Sequence, residues 1–135
     1  MATFTKVYCF VEDLGLKKHN LDTDTLKVYL TNGTPTTGTT VYNTPTDLST
    51  SGGYTAGGAD ATGVWTQSTG TAQLAGTDVV FTATSGFGPF RYAILYNDTA
   101  AAKNVIGFWD YGSALTLAAS ETFTVDFGST VLTLA

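Results

Sequence analysis

The feature that most limits what this chain can fold into is the run from Asp78 to Phe127. It reads DVVFTATSGFGPFRYAILYND, then VIGFWDYGS, then ETFTVDF, with aromatic-rich segments separated by glycines and an Asn-Asp pair. In an extended chain successive side chains alternate between faces, so Phe90, Tyr92, Ile94 and Tyr96 share one face and Arg91, Ala93 and Leu95 the other. Both faces are largely apolar. A strand of this kind needs cover on both sides, from a packed sheet on one and from another layer or a neighbouring subunit on the other. The pattern predicts a building block whose ring-bearing ladders are sealed by protein neighbours, with no catalytic constellation beside them.

Charged residues make up 13% of the chain, about half the usual share for a soluble protein. The surface must then be polar but mostly uncharged, and threonine supplies such groups: 27 of the 135 residues are Thr. Together with 15 glycines, this bias predicts an all-β fold, a β-sandwich or jelly-roll-like domain. The length suits a single domain over residues 1–135, large enough to bury a core without disulfides or metals. A net charge of −5, with only six scattered basic residues, excludes a surface that tracks a phosphate backbone, so no nucleic-acid partner is expected. No apolar run reaches the roughly 18–20 residues of a membrane-spanning helix. The opening MATFTKVYCF lacks the regions of a secretory signal, so a soluble chain made in the cytoplasm is expected. Cys9 is the only cysteine and reads as a small buried hydrophobe, since a reactive thiol needs basic neighbours.

Phe4, Val7, Tyr8, Val11 and Leu14 recur at spacings of three and four, which predicts a short amphipathic helix within an N-terminal arm, residues 1–18. Thr3 would cap it, Gly15 would end it, and Lys6, Glu12 and Asp13 would face water. Leu26, Val28 and Leu30 alternate with Lys27, Tyr29 and Thr31 as in a half-buried strand, followed by an Asn32-Gly33 turn. Residues 34–63 form a Thr/Gly-rich stretch with few apolar anchors and read as long loops with one or two short strands. Further strands are predicted near 64–68, 71–74, 78–84, 89–96, 104–111, 114–117, 121–127 and 131–134, with turns at Gly86-Phe87-Gly88 and Gly112-Ser113 among others.

The chemical candidates are sparse. GGYTAGG at 52–58 has the glycines of a phosphate loop but neither its Lys-Ser/Thr nor a following helix, and reads as a surface loop shaped against a neighbour. His19 is the only histidine, which leaves no two-histidine metal site. Asp22 and Asp24 lack the glycine and distal glutamate of a calcium loop and read as an Asx turn. Asp98, Asp110, Glu121 and Asp126 are the acids available to a glycosidase pair, but Asp110 and Asp126 sit on strands otherwise full of core aromatics, where each would take the outward face or pair with Arg91. Tyr54, Trp65, Phe87 and Trp109 are the rings available to a sugar-stacking platform. No catalytic residue, metal or cofactor is expected.

Several motifs stand together from end to end: MATFTKV at 1–7, TLKVYLTN at 25–32, GYTAGG at 53–58, GPFRYAILYNDT at 88–99, WDYGS at 109–113, ETFTVDF at 121–127 and VLTLA at 131–135. In these the chain resembles a family of small tailed-bacteriophage structural proteins. The resemblance implies a virion component assembled in the bacterial host cytoplasm. More narrowly it implies a non-enzymatic capsid decoration, or cement, protein that binds the major capsid protein as a homotrimer and stabilises the expanded head by many modest contacts. On this reading Phe4, Val7, Tyr8 and Val11 anchor the helix, Tyr54 and its glycines form a contact loop, and Arg91, Tyr92 and Trp109 lie near a subunit or capsid interface. Two other readings stay open: a tail, baseplate or fibre component with a structural or receptor-binding role, and a carbohydrate-binding module.

Overall fold

The computed structural model describes residues 2–43 and 46–135. What the sequence reading places on Met1, Thr44 and Pro45 lies outside the described residues. Elements follow in the order β1 (Phe4–Lys6), α1 (Cys9–Gly15), β2 (Leu26–Thr31), β3 (Ala59–Ala61), β4 (Gly63–Ser68), β5 (Thr71–Gly76), β6 (Val79–Thr82), β7 (Phe87–Asn97), β8 (Val105–Leu117), β9 (Thr122–Val125) and β10 (Leu132–Leu134). The fold is all-β and sandwich-like. A five-stranded antiparallel sheet runs β1-β8-β7-β2-β3, beside a three-stranded sheet β10-β5-β4 and a two-stranded ladder β6-β9.

Cross-strand register shows how the apolar ladders are covered, because residues directly opposite one another share a face. Leu30, Ala93 and Trp109 lie in one such row, and the Trp109 ring stacks at 5.3 Å on Phe127, beyond β9. Tyr29 and Ile94 lie in a row on the other face, where Tyr42 of the 34–63 segment meets Tyr29 edge-on at 4.9 Å and stacks on Tyr96 at 4.9 Å. From Phe90 to Tyr96 every β7 residue except Arg91 is buried. The second layer comes from the chain itself, which corrects the expectation that neighbouring protein seals these ladders. The same holds for β2, predicted half-buried and found covered on both faces, since Tyr29 is as inaccessible as Val28 and Leu30.

The N-terminal segment also departs from its periodicity. Phe4 to Lys6 form an edge strand on β8, where Phe4 pairs with Trp109 and Lys6 with Gly107. The reason is a hole: a side chain on Gly107 would stand 2.3 Å from the Phe4 ring, so the absent Cβ makes room for that ring. Only after Tyr8 does the chain turn helical, and the buried side chains are then Phe10 and Asp13 rather than Tyr8 and Val11. The expected turn at Gly112-Ser113 lies inside the single strand β8, with Gly112 at φ 86°.

The described part of the 34–63 segment is mostly loop, with β3, isolated bridges and at its end the first residue of β4, as expected. It takes its shape against its own chain. At Gly58, where φ is +84°, a Cβ would meet the Val28 carbonyl oxygen at 1.8 Å, so glycine is what lets this loop lie directly on β2.

Candidate interaction surface

Helix α1 is positioned by what it buries. Tyr8 stands at its N-cap with no side-chain capping bond, while Val7 and Phe10 are fully buried and the Phe10 ring lies 5.4 Å from His19. At the other end Lys17 takes φ 62°, the Lys18 N–H donates to the Asp13 carbonyl at 2.9 Å and the Lys17 N–H to Leu14 at 3.3 Å, closing a Schellman motif. Gly15 is the last helical residue but not the left-handed one. This orientation turns Tyr8 (76% exposed), Val11 (48%) and Leu16 (57%) outward. Tyr8 and Val11, three residues apart, share one outward face, whereas Leu16 is exposed at the C-cap, off that face, beside Lys17.

Beneath the helix lies a buried polar cluster. Asp13, predicted to face water, is instead buried and accepts from the Asn104 side-chain amide at 3.1 Å. The Asn97 N–H donates to the Asn104 carbonyl at 2.9 Å, which sets these two residues opposite each other on neighbouring strand ends. The Asn97 amide nitrogen donates to Asp24 Oδ2 at 2.7 Å and faces His19 Nδ1 at 3.1 Å. An amide nitrogen only donates, so Nδ1 accepts and the imidazole proton sits on Nε2. Burial holds the His19 pKa below 6.5, against the opposing pull of the Asp13 and Asp24 charges. Nε2 of His19 and Oδ1 of Asn104 are both buried without a hydrogen-bond partner among the described residues. Close by, burial and then Asp13 push the Cys9 thiol up to about 11, and its Sγ–H donates to the Thr39 carbonyl at 3.8 Å. That thiol stays protonated and unreactive at neutral pH. As for the expected Asx turn, its side-chain acceptor is Asn20, whose Oδ1 takes the N–H groups of Asp22 and Thr23 at 3.2 and 3.3 Å.

Of the residues singled out in the sequence, Tyr8 and Val11 reach the surface and four are core. Val7 is fully buried, and Trp109 is packed between Phe4 at 4.8 Å and Phe127. Tyr92 is buried with its hydroxyl on Thr34 Oγ1 at 3.3 Å. Tyr54, expected in a contact loop, is 2% exposed; its hydroxyl donates to Asp47 Oδ1 at 2.5 Å and accepts the Leu30 N–H at 3.0 Å. These four belong to the chain's own packing, because the layers closing over them are its own loops and strands. Phe4 is half-buried against the same core. Arg91 does pair with Asp110, through two bonds of 2.9 and 3.2 Å, and the guanidinium, with the Gly112 N–H, holds the Asp110 carboxyl below its usual range. This pair is exposed and screened by water, so it contributes little. The rings proposed for sugar stacking do not form a platform: Tyr54, Phe87 and Trp109 are buried, and only Trp65 is half open.

The chain matches no family model, no curated protein and no solved structure. Its site is therefore read from geometry. The residue that sequence reasoning missed most clearly is Asp47, whose carboxylate accepts from Tyr42 Oη at 2.7 Å, Tyr54 Oη at 2.5 Å and the Gly57 N–H at 2.5 Å. It fastens both halves of the long loop, and a lone acid between Lys27 and Asp60 is the one signal that could have marked it.

Proposed function

We propose that this chain is a non-enzymatic structural component of a tailed-bacteriophage virion, and that it decorates the expanded head by binding the major capsid protein. The observation that carries the reading is the combination of a body that covers its own ladders with an apolar pair, Tyr8 and Val11, left facing outward on one side of α1. Scattered exposed hydrophobes are common on soluble proteins, but Tyr8 and Val11 stand three residues apart at the start of one short helix and so share a face. The motif resemblance supplies the setting, a virion built in the host cytoplasm. A low surface charge suits a protein that stays soluble until its sites form and then adds many weak contacts across a shell.

The both-sided ladders do not argue for the trimer that the resemblance implied, since each face is covered within one chain. The test is to add the purified chain to expanded capsids that lack it. Saturable uptake over the head is expected, and Tyr8→Lys lowers it by about tenfold or more, as burying a charge in an apolar contact does. Binding confined to the tail would move the same pair to a tail partner.

A further inference from the structure

We propose that the outer edge of β4 is a self-association site, where two copies of this chain pair their β4 strands antiparallel about a twofold axis and join their three-stranded sheets into one. This goes beyond the virion reading and does not depend on it.

In the order β10-β5-β4, strand β4 pairs with β5 along one edge only, from Gly63↔Gly76 to Ser68↔Thr71. Among the described residues no backbone hydrogen bond reaches its other edge from outside the sheet. Every second residue of an antiparallel edge strand turns its N–H and C=O outward, and such a row is a template for another strand. The other terminal strands are shorter: β1, β3 and β10 have three residues each, β6 and β9 four, and β4 six. The part of β8 beyond β1, residues 110–117, is longer, but it carries the Asp110 charge, Gly112 at φ 86° and an irregular register with β7. Natural edges are usually blocked by a charge, a proline or a bulge. The sequence GVWTQS holds no charge and no proline, and its register with β5 is unbroken. By contrast β1 carries Lys6, and β3 carries Asp60 in an ion pair with Lys27.

Charge selects the occupant. The chain carries −5, so two copies repel wherever acidic surfaces meet. No charged residue occurs from Ala61 to Thr77, nor in β10, so the entire three-stranded sheet is neutral. A twofold pair formed there brings no acid onto another, and one self-complementary strand serves both partners. Val64, 47% exposed on this edge, would be covered in the pair.

Sedimentation over a wide concentration range tests the proposal. The wild-type chain should pass from monomer to dimer and stop there, while Thr66→Lys and Gln67→Pro each weaken the dimer about tenfold or more with the circular dichroism of the fold intact. Because the proline variant risks disturbing the hairpin, amide hydrogen exchange on the unmodified protein gives an independent readout: β4 amides should slow as concentration rises and α1 amides should not. A wild-type chain that stays monomeric, a dimer indifferent to both substitutions, or exchange that slows at α1 instead of β4 would each overturn the pairing.

Discussion

At the scale of single residues, a few buried polar groups hold the loops in place. Tyr54 satisfies the Leu30 N–H and the Asp47 carboxylate with one hydroxyl, and burial, then Asp47, pushes that hydroxyl far above its ordinary pKa, so it stays protonated. Tyr54→Phe leaves a buried N–H unsatisfied and takes one donor from the carboxylate, so urea titration should show a loss of about 1–3 kcal/mol. His19 makes a pH-dependent contribution. Its folded pKa lies below 6.5 because burial disfavours the cation, so the unfolded chain binds the extra proton more readily. Stability is therefore full above 6.5 and declines as pH falls through that value toward the lower folded pKa. Melting temperature should drop between pH 6.5 and about 5, and His19→Gln should flatten that drop. Little of this was legible in the sequence: Asp13, Asn97 and Asn104 owe their roles to partners far along the chain, while Asp47 binds near neighbours in a loop with no periodicity to reveal them. A lone histidine in a polar linker carries no mark of burial.

At the scale of elements, sequence served best where a local rule had no competitor. The strands around β2, β4, β5, β7, β9 and β10 were legible from alternation and turn residues. The N-terminal arm was not, because its apolar residues fit two periodicities: the hole at Gly107 draws Phe4 into a strand, and burial of Phe10 then rotates the helix. Gly112, which looked like punctuation, is absorbed into β8 at positive φ. The hairpin β4–β5 turns through Thr69 and Gly70, at φ 50° and 86°. Positive φ at both positions is the geometry that favours Asn-Gly, and a β-branched residue is strained there. Thr69→Asn should raise stability by about 0.5–1 kcal/mol in thermal unfolding, without altering the strands. A neutral or negative effect would mean that the turn adopts another geometry.

At the scale of the whole molecule, the sequence rightly implied strands covered on both faces and left two sources for the cover, another layer or another subunit. The structure supplies the layer: the loop carrying Tyr42 closes one face and the smaller sheets close the other. Pattern could not decide this, since a strand records that it is buried but not by what. On the two proposals above, such a body would meet partners through what it leaves outside, the exposed face of α1 and the neutral β4 edge. The reading of the chain as a capsid decoration protein is tested most directly by the stoichiometry of its uptake on expanded capsids. Binding should saturate at a fixed number of copies per particle and raise the temperature at which the shell fails. Failure to bind at saturating protein, or uptake without a plateau, would contradict it.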